Sequence, residues 1–214
     1  MTDQKRPFRK KRRAELEEQT RRRIAESAME LHGTLGPSRT SMSAVAERAG
    51  VRRSTLYRHF PDEAALFAAC SAHWGALNPR PDLMRWAAIQ DPDERLESAI
   101  REIYGYYRRT EQMMANLHRD EATVPIVKQS FGRFHEYIAA GREGLMRGRG
   151  VRGRTRLRVR AAVGHALSFS TWRSLVREQG LEDAEAVDLA CRMVSAADDP
   201  ARRRSRDPRA RSGA

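Results

Sequence analysis

A basic and polar segment between Thr40 and Phe60 carries residue types that can recognise nucleic acid. The guanidinium of Arg53 or Arg58 can donate two hydrogen bonds to O6 and N7 of guanine, which discriminates against the wrong base by about 1–3 kcal/mol. Tyr57 and His59 can make single hydrogen bonds that fix register on a phosphate backbone. On an isolated nine-residue helix, however, the same arginines could simply form a solvated face.

The spacing of apolar residues in this segment predicts two short helices joined by a tight turn. Residues 42–49 place their apolar side chains on one inner face, and Thr40 or Ser41 can accept from the free amides at the helix start. Gly50 can adopt the left-handed conformation of a turn. In the second helix, Leu56 and Phe60 are spaced i, i+4 and point towards a core. This is the arrangement by which a helix enters the major groove of DNA.

The run from Thr40 to Pro61, TSMSAVAERAGVRRSTLYRHFP, resembles the DNA-binding signature of the TetR (tetracycline repressor) family. The resemblance extends from roughly Arg21 to Phe67, and LYRHF at 56–60 is its most diagnostic part. It implies a homeodomain-like helix-turn-helix domain of three helices, followed by a helical domain that binds a small molecule and dimerises. It also implies a transcriptional regulator, most often a repressor, that binds a palindromic operator as a homodimer and is released by an effector.

Carried over by position, the resemblance implies that Thr40, Tyr57 and His59 hold phosphates. It implies that Arg53 and Thr55 face base edges, with Arg58 as a further candidate. The whole predicted DNA-binding surface is Thr40, Ser41, Arg52, Arg53, Ser54, Thr55, Tyr57, Arg58 and His59.

The sequence departs from the family pattern at four positions. Glu63 stands where the family commonly has a lysine that contacts phosphate, and Ser54 replaces the usual glycine of the recognition helix. His32 occupies a position that usually holds an aromatic residue such as phenylalanine. Arg52 stands where a small capping residue is common, and its charge could compensate for Glu63.

Composition agrees with a polyanionic partner but does not establish one. The 214 residues carry a formal net charge of +13, with a pI near 10.8. Neutralising phosphates releases condensed counterions, so such a charge favours nucleic acid, and an anionic membrane less so. Because nearly all of these cations are arginine, a compositional bias could also produce them.

Other global features narrow the class of protein. A hydrophobic fraction of 40% is enough to build a core. The sequence has no apolar run of the roughly 18 residues that a spanning helix needs, so we expect a cytoplasmic protein without a membrane partner. Cys70 and Cys191 lie far apart without partners at metal spacing, which predicts neither a zinc site nor a disulfide framework.

Apolar residues recur at three- and four-residue steps throughout, which predicts an all-α fold. We expect a disordered basic arm over 1–14, a helix-turn-helix domain over 15–67 whose last helix continues to about 76, a ligand-binding and dimerisation domain over 77–197, and a disordered basic tail over 198–214. The first helix should begin near Glu15. Later helices are expected over about 62–74, 92–117, 131–146, 156–178 and 183–197, with a broken stretch around Pro125.

The basic arm supports two interpretations. Residues 5–13 could follow the minor groove or the backbone beside the operator, as the arms of homeodomains do. They could equally form a solubilising or nonspecific tail.

In the second domain we predict that the last two helices form the homodimer interface. The helix over 156–178 carries apolar side chains on two faces, and the final helix carries Val187, Ala190, Cys191 and Val194 at helical spacing with small side chains. The candidate contacts for an unknown small-molecule effector are Tyr104, Tyr107, Met113, Met114, Leu117, Phe134, His165, Phe169 and Trp172. Core packing is the simpler explanation for each of them.

We expect no enzymatic activity, no cofactor and no metal. The sequence lacks a phosphate-cradling glycine loop, GxSxG and HExxH. His118, Asp120 and Glu121 are close in sequence but flanked by charge at a helix end. Two alternatives stay open, a nonspecific architectural nucleic-acid-binding protein without an effector and a helical-bundle enzyme whose catalytic residues are not evident.

Overall fold

The computed structural model describes the backbone of residues 5–198 and the side chains of residues 10–198. Within this part of the chain every regular element is a helix, which confirms the predicted all-α class. None of these helices is long and apolar enough to cross a membrane. The elements are α1 (Lys5–Thr34), a 3₁₀ turn (Pro37–Arg39), α2 (Met42–Arg48), α3 (Arg53–His59), α4 (Glu63–Leu77), α5 (Leu83–Ala88), α6 (Pro92–Asp120), α7 (Pro125–Leu145), α8 (Gly153–Ala166), α9 (Phe169–Arg173), a π-helical turn (Ser174–Glu178) and α10 (Asp183–Asp198).

The chain divides into two compact units whose boundaries cross two helices. The first unit takes residues up to Pro79 together with Thr110–Gly132, and the second takes Arg80–Arg109 and the residues from Arg133 onward. One boundary therefore falls between Pro79 and Arg80. A second domain running without interruption over 77–197 was expected, but residues 110–132 instead group with the N-terminal helices.

The first helix begins earlier than predicted. We expected a disordered arm up to residue 14 and a helix from Glu15, whereas α1 begins at Lys5. Lys, Arg, Ala, Glu and Leu are strong helix formers even without an apolar face, and Pro7 lies in the first turn, where proline is tolerated. Residues 1–4 of the predicted arm lie outside the described residues, as does the predicted tail except for Asp198 at the end of α10.

The core of the first unit is built by α1 to α4. Its fully buried side chains include Ile24 and Ala28 from α1, Leu56 from α3 and Phe60 directly after it. Asp62 begins α4, as its position after Phe60 predicts, because its carboxylate accepts a 2.7 Å hydrogen bond from the amide of Ala65. The helices expected over 42–49, 52–60 and 62–74 are thus present to within a few residues.

The C-terminal end of α6 is bonded to the end of α1 within this unit. The side-chain amide of Asn116 donates to the carbonyls of His32 and Gly33 at 3.0 and 2.8 Å. The buried carboxylate of Asp120 accepts from the amide of Ser38 at 2.9 Å. Gly36, whose φ is +96°, lies so close to Arg119 and Asp120 that a Cβ there would collide with both side chains.

The second unit corrects the prediction of one helix over 156–178. Helix α8 ends at Ala166, and the hydroxyl of Ser168 caps α9 by accepting from the amide of Thr171 at 3.2 Å. Serine and threonine side chains compete with the helix ladder for backbone donors, which permits a break here. Helix α5 was not predicted at all, and α7 begins at Pro125, within a stretch expected to be broken.

Candidate nucleic-acid interface

The turn between α2 and α3 is built by backbone hydrogen bonds around one glycine. Ser41 caps α2 by accepting from the amide of Ala44 at 3.2 Å. At the other end of α2 the amide of Val51 donates to the carbonyl of Ala46 at 3.0 Å, and Gly50 has a φ of +63°. This is a helix C-terminus closed by a left-handed residue, and glycine adopts that conformation without steric cost.

Helix α3 has one buried side and one side open to solvent. Leu56 is completely buried, as is Phe60 at its C-terminal cap. Thr55 and His59 are half-buried. The exposed side chains of the predicted surface on and next to this helix are Arg52, Arg53, Ser54, Tyr57 and Arg58.

Arg53 and Tyr57 form the centre of the exposed side. They are one turn apart, and the Arg53 guanidinium lies 6.0 Å from the centre of the Tyr57 ring. Tyr57 keeps 42% of its surface exposed. The arrangement presents a planar cationic donor beside a phenolic hydroxyl.

Arg21 of α1 holds the C-terminal end of α3 in place. Its Nη1 donates a 2.8 Å hydrogen bond to the carbonyl oxygen of His59, and its guanidinium lies 4.4 Å from the centre of the Phe60 ring. A cation at a helix C-terminus is favoured by the helix dipole. Reasoning from the sequence missed this contact, because nothing in the spacing of Arg21 among neighbouring arginines distinguishes it.

His59 is less available for a phosphate than the resemblance implies. Its Nε2 atom is buried and has no hydrogen-bond partner among the described residues. Partial burial, followed by the nearby charges of Arg58 and Arg21, lowers the pKa of His59, so the neutral ring is favoured. A phosphate contact from this side chain would therefore use Nδ1 or a changed rotamer.

Thr40 and Ser41 lie just before α2 and line the same cavity as Glu63. The Thr40 hydroxyl already donates to the carbonyl of Gly36 at 2.9 Å, whereas Ser41 is exposed. All three residues line a small cavity of about 50 Å³, whose other walls include His32 and Phe67. Glu63 therefore lies in the same region of the first unit as the two residues at the α2 N-terminus that are predicted to contact DNA.

A comparison of the sequence with models of protein families leads to the same type of domain as the geometry of α2 and α3. Residues 24–70 match the model described as "Bacterial regulatory proteins, tetR family". These residues are a TetR-family DNA-binding domain. The predicted family resemblance is confirmed, and the matched range lies within the first unit of the structure.

Solved structures of TetR-type regulators share the fold of the chain. HlyIIR, described as a hemolysin II transcriptional regulator, is 17% identical with a TM-score of 0.60, over 86% of this chain and 99% of that one. A TetR-like transcriptional regulator from Rhodococcus sp. RHA1 is 20% identical with a TM-score of 0.59, over 82% and 93% of the two chains. At these identities the likeness concerns the fold. No protein of curated function matches the sequence.

These similar structures are described as transcriptional regulators and not as enzymes. Within residues 10–198 there is no group of three or more His, Cys, Asp or Glu side chains arranged to hold a metal ion. Asp120, one of the residues considered for a metal in the sequence, instead bonds the Ser38 amide and pairs with Arg119 at 2.8 Å.

Beyond the TetR-family domain, the structure separates the residues predicted to bind an effector. Met113, Met114 and Leu117 belong to the first unit, and His165 is exposed on α8. The other five form one buried aromatic cluster in the second unit. The members of this aromatic cluster are Tyr104, Tyr107, Phe134, Phe169 and Trp172.

The hydroxyl groups of the aromatic cluster are largely committed to the protein. Tyr104 donates to the carbonyl of Ala166 at 3.1 Å, and Tyr107 to that of Leu167 at 2.7 Å. Both acceptors lie where α8 ends, so the two tyrosines bond carbonyls left free by the helix break. Burial raises the pKa of each phenol well above its usual value. In contrast, the buried indole Nε1 of Trp172 has no acceptor among the described residues.

Proposed function

We propose that this protein is a transcriptional repressor that binds an operator in double-stranded DNA through α3. The observation that carries the proposal is the division of α3 into a completely buried Leu56 and an exposed side with Arg53, Tyr57 and Arg58. A helix anchored in this way can enter a major groove without disturbing its own core.

The exposed residues support different tasks in that complex. Arg53 and Arg58 carry the donor geometry for guanine, whereas Tyr57 and Ser41 offer single hydroxyl groups suited to phosphate oxygens. Thr55 is half-buried and can present its methyl group to a thymine. The Arg21 contact to the His59 carbonyl fixes the axis of α3, so the side chains approach the bases in one orientation.

We further propose that the repressor is a homodimer on a palindromic operator, with α8 and α10 as the interface. These two helices pack together in each protomer. Val187, Ala190 and Val194 are buried within the second unit, so these side chains are not available to a partner. Leu157 on α8 is 60% exposed and Leu189 on α10 is 38% exposed, so both are available to a partner.

Small side chains next to those leucines favour close approach by a second copy. Ala161 follows Leu157 by one turn on α8, and Ala196 follows Leu189 by two turns on α10, both exposed. Pairing such a stripe with itself around a twofold axis buries it on both protomers. The two recognition helices would then read half-sites about 34–36 Å apart, one turn of DNA.

A small-molecule effector is proposed to release the operator by binding at the aromatic cluster. The unsatisfied Nε1 of buried Trp172 supports this site, because a buried donor without an acceptor costs free energy that a ligand acceptor could recover. Helix α6 contributes residues to both units, and its C-terminal half bonds the end of α1. A ligand that displaces the N-terminal half of α6 would therefore act on a helix that is attached to α1.

The repressor proposal is tested by DNA selection followed by titration. Fragments selected from a random pool should share a palindrome, and affinity for it should exceed that for scrambled DNA by on the order of 10³ or more. Arg53→Ala should lower specific affinity about 5- to 150-fold for each half-site, which corresponds to about 1–3 kcal/mol for one bidentate base contact per protomer. Tyr57→Phe should weaken both DNAs equally.

Arg147→Ala is the matched control, because Arg147 is exposed but lies outside the interface in the second unit. Equal affinity for selected and scrambled DNA would instead support the architectural alternative. Unchanged binding by both interface variants would refute the assignment of α3.

A further inference from the structure

The N-terminal part of α1 is a helix of unusual charge that projects from the core. Seven of the nine residues from Lys5 to Arg13, here called the basic extension, are Lys or Arg. The side chains of residues 10–19 are all exposed, and the first buried residue of α1 is Ile24. The described side chains of the basic extension, those of residues 10–13, therefore take no part in the core, and their charges are available to a partner.

The orientation of the basic extension follows from the contact between α1 and α3. Arg21 bonds the carbonyl of His59 at the end of α3. Lys10 precedes Arg21 by eleven residues, which is about three helical turns and about 16 Å, so it lies on the same side of α1. Lys11 and Arg13 flank that side. A straight helix thus carries cations on the same side of α1 as Arg21, about 16 Å along α1 from the contact with the end of α3.

The charges of this segment are mostly uncompensated. Arg13 pairs with Glu17 at 3.1 Å, with both side chains largely exposed, and such a pair is weak. Within residues 10–198, Lys10, Lys11 and Arg12 make no ion pair. A helix held in one orientation also presents these charges without the ordering cost that a disordered arm would incur.

The partner that fits this surface is a phosphate backbone. A helix that binds an anionic membrane surface needs an apolar face of Trp, Phe or Leu opposite its cations. Between residues 5 and 20 the sequence has only Phe8 and Leu16 as large apolar residues. The sequence of the basic extension therefore supplies no such face, which favours electrostatic contact with nucleic acid.

We propose that the basic extension binds the phosphate backbone of the DNA flanking the bases read by α3. The proposal rests on the proposed function, because it takes α3 as the element in the groove. A reach of about 16 Å corresponds to about five base pairs at 3.4 Å each. Contacts to phosphates carry no sequence information, so the basic extension raises affinity for every duplex to the same degree.

The test compares two variants of equal charge in the full-length protein. Lys10→Gln, Lys11→Gln and Arg13→Gln together neutralise the basic extension and keep strong helix formers. Lys128→Gln, Arg133→Gln and Arg147→Gln remove three exposed cations elsewhere and serve as the matched control. Affinities are measured between 50 and 200 mM salt for a selected operator, for scrambled DNA, and for operators trimmed by five base pairs at each end.

Each protomer loses three phosphate contacts, so the proposed dimer loses six. The slope of log K against log salt should then fall by about 5.4, and affinity near 0.15 M salt should fall by more than about 100-fold. The ratio of specific to scrambled affinity should stay constant. Trimming the DNA should weaken the wild type and the control variant but leave the neutralised variant almost unchanged.

An equal, small loss of affinity in both variants would overturn the proposal, because only the overall charge would then matter. It would also be overturned if neutralisation left DNA binding intact but abolished binding to vesicles containing phosphatidylserine. Failure of the proposed function gives a different result from failure of this proposal. If the protein does not recognise an operator, the wild type binds scrambled and selected DNA with equal affinity, with or without the charges of the basic extension.

Discussion

Buried His32 should make the stability of the first unit sensitive to mild acid. Its ring is 8% exposed and packs 5.3 Å from the ring of Phe67, and its Nδ1 lies 3.5 Å from the sulfur of Cys70. Burial lowers the pKa of His32 to about 4, and the carboxylate of Asp120 opposes this shift more weakly. The folded protein therefore holds the ring neutral, whereas an unfolded chain protonates it near 6.5.

The sign and size of the effect follow from proton linkage. A histidine with a lowered pKa contributes its full stability above pH 6.5, and this is lost as pH falls from 6.5 towards 4 because the unfolded state takes up the proton first. Between pH 7.5 and pH 5.0 the loss from this residue alone is about 2 kcal/mol, from the two pKa values and 1.36 kcal/mol per unit.

The measurement is urea unfolding of the wild type and of His32→Phe at pH 7.5 and at pH 5.0. Phenylalanine fills a similar volume beside Phe67 and does not titrate, so the variant should lose about 2 kcal/mol less between the two pH values. Other titrating groups, His59 among them, are common to both proteins and cancel in the comparison. If both proteins lose the same free energy of unfolding, the neutral buried state of His32 is wrong.

Three further predictions concern other parts of the molecule. Glu63→Lys should strengthen operator binding about tenfold per protomer near 0.1 M salt and steepen the salt dependence by about one unit per protomer, unlike Glu136→Lys on the surface of α7. An unchanged slope would exclude a phosphate near Glu63. Leu157→Glu should convert the dimer to a monomer in sedimentation velocity while circular dichroism stays unchanged, and a persistent dimer would remove α8 from the interface. Gly36→Ala should lower the free energy of unfolding by more than about 1 kcal/mol, because alanine is strained at positive φ and its Cβ collides with Arg119; wild-type stability would contradict the close approach at this turn.

The helix-turn-helix could be predicted because each of its features is local. Leu56 and Phe60 lie one turn apart, Gly50 supplies the left-handed turn, and Asp62 caps the next helix; all three follow from residues within four positions of one another. The break after Ala166 was missed because apolar spacing continues across it into Phe169 and Trp172. Only the competing hydroxyl groups around Ser168 signalled a new helix start.

Contacts between residues distant in sequence could not be predicted. Arg21 reaches His59 across 38 positions, and Asp120 reaches Ser38 across 82. No periodicity connects such pairs, since the partners are backbone groups that every residue possesses. The predicted effector contacts illustrate the same limit, because their residue types suited a pocket but did not show that Met113, Met114 and Leu117 belong to a different unit from the aromatic cluster.

The sharing of α6 between the two units has a practical consequence for anyone wishing to exchange DNA specificities between regulators. A fragment ending at Pro79 would contain every residue of the predicted DNA-binding surface and yet would lack Asn116 and Asp120. These two side chains bond the carbonyls of His32 and Gly33 and the amide of Ser38. These groups lie just before Thr40 and Ser41. A chimaera should therefore carry residues 110–132 along with the N-terminal helices, because the first unit is formed by two separate segments of the chain.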